Sequence, residues 1–239
     1  MSKRPYYIVI CLFLLLNSCK NETNLSFSET EITTPNNTIV QVNIPKANNS
    51  NVVSKNINAE INKTVITSLH LGEPDVINST SIEESIIAFN DEYNAFQSDF
   101  PETAQAWEAQ VDGDVMYQSP EIISIAITSY VNTGGAHGIL NIVVLNFDGE
   151  TGEPLENSTL IKDKETFKTV LKSHFQNATK DKDVFTDNDS LELPANMGYS
   201  KEGFVMLYNA YEVAPYSTGI IQFAIPFDEL EGLLNFNSL

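Results

Sequence analysis

Cysteine is almost absent from this sequence. Of the 239 residues only Cys11 and Cys19 carry a thiol, and both lie close to the N-terminus. Beyond residue 19 the chain therefore offers no disulfide, no thiolate nucleophile and no cysteine ligand for zinc. An exported domain of this kind must be held together by the burial of apolar side chains alone. The remaining length is sufficient for a sizeable core.

Arginine is nearly absent too, since Arg4 is the single example. Beyond Cys19 the chain has 11 lysines against 32 acidic residues, a formal charge of −21. We predict no nucleic-acid partner, because such partners need lysine and arginine to neutralise phosphates. The same charge argues against direct binding to an anionic membrane surface or an anionic polymer. A cationic partner would be attracted over long range, although acidity also simply keeps exported proteins soluble.

The N-terminus has the pattern of an export signal. Lys3 and Arg4 precede an apolar run over residues 6–16 that is too short to span a bilayer as a helix. The following Leu16-Asn17-Ser18-Cys19 resembles a bacterial lipobox. This resemblance implies that residues 1–18 are a lipoprotein signal peptide and that Cys19 carries the lipid. We therefore expect anchoring to a membrane of the cell envelope, on its extracytoplasmic side.

The spacing of apolar residues predicts three helices. After a polar stretch over residues 19–37, which we interpret as a flexible tether, apolar residues recur every four positions from Val53 to Leu69. A second helix begins at the capping-box pattern Ser81-Ile-Glu-Glu84 and ends before Pro101. A third is predicted over residues 163–179. Residues 180–198 are predicted to form an acidic loop, and they lack the register of an EF-hand.

The pattern changes to period two near Trp107, which predicts strands. Asp112-Gly113 resembles a hairpin turn, residues 121–131 put isoleucines on one face, and residues 139–147 are apolar on both faces. Helices that precede a run of strands indicate an α+β fold with a mostly antiparallel sheet.

Motifs of enzyme active sites are missing. The chain has no G-x-S-x-G, H-E-x-x-H, P-loop or G-x-G-x-x-G sequence, so we predict no catalytic residue, no metal site and no cofactor. His70 and His174 are interpreted as structural. His137, set among Gly134, Gly135 and Gly138, is the exception, because a loop this small could aim an imidazole at a ligand. A catalytic role would need a carboxylate and a nucleophile beside it.

Two stretches resemble a known family. "YVNTGGAHGILNIVVLNFDGETGEPL" resembles a strand-loop-strand with a G-G-A-H-G loop, and "EGFVMLYNAYEVAPYSTGIIQFAIPFDEL" resembles the closing segment of the same family. This is the extracytoplasmic domain of unknown function in lysozyme-receptor (RsiV-like) anti-sigma factors, also found beside the catalytic domain of some peptidoglycan deacetylases. The resemblance covers about residues 107–234, and residues 38–101 resemble the companion domain that precedes it. It implies two closely associated subdomains, a helical companion subdomain at residues 38–105 and an α+β domain at residues 106–239.

The resemblance implies a binding module rather than an enzyme. Its ligand would be a basic protein such as lysozyme, or a peptidoglycan fragment. The alternatives are a cell-wall hydrolase that uses His137, or an accessory envelope protein without a small ligand. The residues of the two motifs would form either a binding site or a structural corner of two neighbouring strands, and they are Tyr130, Gly134, Gly135, His137, Gly138, Tyr211, Glu212 and Tyr216.

Overall fold

Eight strands and four helices make up the described part of the chain. The computed structural model describes residues 25–49, 51–73, 76–102, 105–186 and 190–236, so the predicted signal peptide and Cys19 lie outside the described residues. The predicted α+β class is confirmed. The strands are β1 Phe27–Ile32, β2 Val40–Ala47, β3 Glu108–Gln118, β4 Ile122–Asn132, β5 Ile139–Asp148, β6 Asn196–Tyr199, β7 Phe204–Tyr208 and β8 Ile221–Ile225, and the helices are α1 Val52–Leu69, α2 Ile82–Asp99, α3 Asn157–Leu160 and α4 Lys164–Thr179.

The first sheet has the order β1-β2-β3-β4-β5. All neighbours are antiparallel except β2 and β3, which run parallel. Parallel neighbours need a long crossover, and this one contains α1 and α2. On β4 the alternating side chains of Ile123, Ile125 and Ile127 are buried with residues of both helices, as their spacing predicted.

Both helices begin at side-chain caps. Asn51 Oδ1 accepts from Ser54 N (2.9 Å), and the predicted apolar stripe of α1 is buried. At α2, Ser81 Oγ accepts from Glu84 N (3.2 Å). The Glu84 carboxylate, however, accepts from Thr80 N (2.7 Å) rather than from the cap residue, one position earlier than a capping box requires. The Thr80 backbone N–H lowers the pKa of Glu84.

The second sheet has the order β6-β7-β8 and is antiparallel throughout. Helix α4 contributes Phe167, Leu171 and Phe175 to the core that this sheet shares. Within this core Phe175 packs edge-to-face on Tyr208. Burial raises the pKa of the Tyr208 phenol, so the hydroxyl stays protonated and donates to the Glu192 carbonyl (2.9 Å).

Two local predictions are wrong. Strand β1 occupies part of the predicted tether at residues 19–37, because Phe27, although half-buried, packs against the first core. Asp112 and Gly113 do not form a turn, since β3 continues straight through them. Gly113 is required for a different reason: a Cβ there would come within 2.5 Å of the Pro45 ring on β2. Close approach of two strands can select glycine as firmly as a turn does.

The predicted boundary at residues 105/106 does not separate the two cores. Strand β2 pairs with β3 across it, and one hydrophobic core takes residues from Val40 to Phe147. Apart from Ile122, the buried residues of the second core run from Leu160 to Leu234. The sequence analysis also did not predict β6, a strand of four residues that begins in the predicted acidic loop at residues 180–198 and ends one residue beyond it.

The two sheets meet edge to edge at what we term the seam, formed by Ser124, Asn146, Asn196 and Asn209. Strand β5 ends the first sheet and β6 ends the second. Asn146 Nδ2 donates to the Met197 carbonyl (2.8 Å), and Ser124 Oγ accepts from Tyr199 N (3.0 Å). Side chains of the first sheet therefore satisfy the outer edge of β6, where no neighbouring strand is present.

The edge of β5 is satisfied in the same way from the other side. Asn196 Oδ1 accepts from Val144 N (2.9 Å), and the Asn209 amide bonds both the N–H (3.0 Å) and the carbonyl (2.8 Å) of Ile142. Gly198 makes this approach possible, because a Cβ there would lie 2.6 Å from Val144 Cγ1 and 2.9 Å from Asn146 Oδ1. Both edges are thus covered, which removes two templates for unwanted strand pairing.

We expect Asn146→Ala to destabilise the protein. Asn146 is 3% exposed, and its loss leaves the buried Met197 carbonyl and the Ser124 hydroxyl without their partner. Unsatisfied buried groups cost about 1–3 kcal/mol, so the free energy of unfolding in urea should fall by that amount. Asn62→Ala on the exposed side of α1 is the control and should change it by less than about 0.5 kcal/mol. Equal effects of the two substitutions would contradict the role of the seam.

Candidate functional site

The glycine-rich loop at residues 133–138 lies where β4 ends and β5 begins. Its glycines serve separate purposes. Gly134 has φ +80°, which favours glycine, and its N–H donates to Asn132 Oδ1 (3.0 Å). A Cβ at Gly138 would overlap the Tyr130 ring. Gly135 lines the groove described below. Glycine is therefore favoured by backbone conformation at position 134 and by the close approach of Tyr130 at position 138.

His137 is held by the glycine-rich loop and by Tyr216, which belongs to the part of the chain that forms the second sheet. Its Nδ1 lies 3.0 Å from the Gly138 carbonyl. Because a carbonyl oxygen can only accept, Nδ1 carries the hydrogen of this bond. The imidazole stacks on Tyr216, with ring centroids 3.8 Å apart and planes 18° apart. Within the described residues its hydrogen-bond partner is a backbone carbonyl and not a carboxylate, so the arrangement resembles no catalytic dyad.

The second motif meets the first at this point. Tyr216 Oη donates to the same Gly138 carbonyl (2.8 Å), so one tyrosine both stacks on His137 and ties down its loop. Glu212 braces the turn that carries Tyr216, since its carboxylate accepts from Ala195 N (2.7 Å) and Asn209 N (2.9 Å). The two motifs thus lie together in space, although their strands belong to different sheets.

Tyr211 is the most unusual residue of this corner. It is 63% exposed and has φ +71°, a left-handed conformation that costs energy for a residue with a side chain. Its N–H donates to the Ala214 carbonyl (3.0 Å), and its ring lies 5.9 Å from that of Tyr216. His137, Tyr216 and Tyr211 therefore form a row of rings that ends at the surface.

A groove opens beside this loop, between the C-terminal half of α1 and the ends of β4 and β5. Its volume is about 540 Å³, within the usual range of small-molecule sites. Its lining combines apolar side chains with hydroxyl groups and one amide. The lining residues are Lys63, Thr64, Thr67, Ser68, His70, Leu71, Ser129, Val131, Thr133, Gly135, His137, Ile139, Asn141 and Val143.

The groove was not found from the sequence, apart from His137 and Gly135. His70 was interpreted as structural, and it is the C-cap of α1, with Nε2 3.0 Å from the Glu73 carbonyl. The available signal was the polar run Thr64, Thr67 and Ser68, which lies beside the buried stripe of α1. Polar residues next to a buried stripe also occur on any solvated helix face, so the pattern alone does not identify a groove.

Elsewhere the described residues offer little chemistry. They contain no cluster of three histidine, cysteine or acidic side chains placed to hold a metal ion. His174 forms an exposed pair with Glu229, with Nε2 3.0 Å from Oε2. No helix within residues 25–236, gaps excepted, has the length and apolar character needed to cross a bilayer.

Comparison with known families divides the chain much as its two cores do. Residues 32–140 match the family described as deacetylase PdaC, and residues 158–228 match the protein family of unknown function DUF3298. The glycine-rich loop therefore lies in the first match, whereas the sequence analysis assigned it to the second. Together the matches indicate an extracytoplasmic domain of unknown function. Comparison with curated proteins finds no significant match.

Solved structures share the fold. A DUF3298 family member from Bacteroides fragilis has a TM-score of 0.65 at 17% identity, with 90% of this chain and 95% of that chain covered. A DUF3298 family protein from Pseudomonas aeruginosa has a TM-score of 0.55 at 18% identity, with 88% and 94% covered. The family resemblance is thus confirmed: this chain joins a segment similar to deacetylase PdaC to a segment similar to DUF3298, in the fold of solved DUF3298 proteins.

Proposed function

We propose that this protein is a membrane-anchored lipoprotein that binds a ligand outside the cytoplasm. The observation that carries the proposal is the open groove of about 540 Å³ beside the glycine-rich loop. Tyr216, from the part of the chain that forms the second sheet, holds this loop by a hydrogen bond to Gly138. A rigid, largely pre-formed concave site is what binding proteins use to hold small ligands or protruding segments. The ligands that we consider are a basic, lysozyme-like protein and a peptidoglycan fragment.

The position of the groove suits a protein anchored at its N-terminus. Leu25 accepts from Gln118 Nε2 (2.7 Å) at the last residue of β3, whereas Glu108 at the first residue pairs with Asn132 beside the loop. At about 3.3 Å per residue these ends lie roughly 33 Å apart. Leu25 is six residues beyond Cys19, a reach of about 20 Å at most. The groove would therefore lie at the end of the first sheet that is farther from the anchor.

Charge supports a basic protein as one partner. With a formal charge of −21 beyond Cys19, the surface attracts cationic proteins over several ångströms in low salt and accelerates their encounter. Peptidoglycan fragments are the partner that a groove can enclose. Both ligands occur outside the cytoplasm, where a lipoprotein with its domain on the extracytoplasmic side of the membrane would meet them.

The anchor can be tested by substituting each cysteine in turn. Cys19→Ala removes the sulfur that would carry the lipid, so we expect the protein to lose its metabolic fatty-acid label and to keep its uncleaved signal peptide. Cys11→Ala is the matched control, because Cys11 lies within the predicted signal, and it should leave labelling and cleavage unchanged. Retention of the fatty-acid label by the Cys19→Ala protein would refute lipid anchoring at this cysteine.

Binding can be tested with full-length protein in a neutral detergent. Immobilised protein should retain lysozyme at about 0.02 M salt and release most of it near 0.3 M, because the Debye length falls to well under 10 Å. Cytochrome c, a basic protein of similar size, is the control for attraction by charge alone and should elute earlier. The proposed function would be refuted if the protein retained neither lysozyme nor soluble peptidoglycan fragments.

The clamp on the groove loop can be tested with two tyrosines. Tyr216→Phe removes the hydroxyl that donates to Gly138, a bond worth about 1 kcal/mol, so amide exchange at residues 133–138 should become about fivefold faster. Tyr211→Phe removes an exposed hydroxyl of the same corner and is the matched control. Equal exchange rates in the two variants would show that the Tyr216 hydroxyl does not hold the glycine-rich loop.

A further inference from the structure

We propose that the groove binds a saccharide that carries a carboxylate. This inference rests on the proposed binding function and names the class of ligand for the same site. It is carried by the combination of charge, hydroxyl groups and apolar surface in the groove lining. Each of these three features selects a different part of such a ligand.

The groove lining lacks the acidic side chains that dominate the sequence. The sequence contains 32 acidic residues, yet none of those that the structure describes lines the groove, whereas Lys63 and two of the three histidines, His70 and His137, do. Lys63 pairs with Glu60 at 3.1 Å, and 72% of the lysine side chain but only 25% of the glutamate side chain is exposed. A pair whose ammonium is this exposed contributes little free energy, so the ammonium remains within reach of an anion. The lining therefore favours a carboxylate over a cation.

Both imidazoles keep one nitrogen for a ligand. His70 Nε2 and His137 Nδ1 each lie 3.0 Å from a backbone carbonyl, so each must carry a hydrogen. The remaining nitrogen of each ring has no partner among the described residues. It accepts from a hydroxyl when the ring is neutral and donates to a carboxylate when the ring is protonated. A ligand that has both groups suits either state.

The hydroxyls of the lining act mainly as acceptors. Thr64 Oγ1 donates to the Glu60 carbonyl and Ser68 Oγ to the Thr64 carbonyl, both at 2.9 Å. Because each hydroxyl has a single hydrogen, these oxygens can only accept from a ligand. Asn141 adds an amide that both donates and accepts. The groove therefore needs a ligand with several O–H or N–H donors, which a saccharide has and a fatty acid lacks.

Apolar side chains complete the surface. Val131, Val143 and Ile139 line the groove, and Ile139 is 63% exposed. The C–H faces of a pyranose ring can cover such side chains and remove them from water, while the ring hydroxyls reach the rim. An acidic peptide shares the carboxylate but offers fewer hydroxyl donors, so it is an alternative outcome of the test rather than the proposal.

The test compares two pairs of saccharides, in each of which one member carries an acidic group that the other lacks. The first pair differs by a lactyl ether and the second by oxidation of a hydroxymethyl group to a carboxylate. Binding is measured by calorimetric titration of the full-length protein in neutral detergent at 0.15 M salt, where distant surface charges are screened beyond about 8 Å. One pair is N,N′-diacetylchitobiose and the β1,4-linked N-acetylglucosamine–N-acetylmuramic acid disaccharide. The other pair is a neutral hexose disaccharide and its uronic acid counterpart. We expect each acidic member to bind at least tenfold more tightly than its neutral partner. Preference for the first or second acidic sugar distinguishes a cell-wall source from another polysaccharide.

Variants locate the effect. Lys63→Gln and His137→Gln should each remove most of the acid preference, whereas Lys55→Gln, an exposed lysine of the same helix outside the groove, should retain it. Melting temperatures confirm folding of each variant. Equal binding of acidic and neutral sugars, an unchanged preference in Lys63→Gln, or equal affinity for lactate or an acidic peptide would overturn the inference. If lysozyme is retained but no saccharide binds, the proposed binding function stands and this inference fails.

Discussion

The rest of the structure depends on the hydrogen bonds of the seam. A sheet edge exposes N–H and carbonyl groups that must be satisfied, and here two edges satisfy each other through side chains. Asn146 and Asn196 replace a strand ladder at the join between β5 and β6. Side-chain bonds let the sheets meet without merging, so each keeps its own helices and its own core.

The groove follows from this join. Because Asn209 binds Ile142 on the edge of β5, the turn that follows Asn209 is brought to the glycine-rich loop. Tyr216 then reaches His137 and Gly138. The segment similar to DUF3298 thus shapes a groove that belongs almost wholly to the segment similar to PdaC. The groove lining and the tyrosine that holds its loop therefore lie in different parts of the chain.

Electrostatics act at two ranges in this protein. The net charge acts over a Debye length and favours cationic partners, whereas the groove presents Lys63 and two imidazoles without an acidic neighbour in its lining. Overall charge therefore describes the encounter with a protein partner but not the choice of a small ligand. Only side chains in direct contact decide that choice, because a contacting pair excludes the water and salt that screen distant charges.

Local patterns in the sequence determined the helices α1, α2 and α4, the α+β class and the two motif corners, because helix periodicity and glycine-rich turns depend on neighbours in the chain. The tertiary structure alone decided the rest. Gly113 was needed for contact with Pro45 rather than for a turn, and β6 is strand because the seam satisfies its edge. Lys63 joins His137 in one groove because α1 packs across β4 and β5. Such proximity between residues far apart in sequence arises from packing, so no periodic pattern in the sequence indicates it.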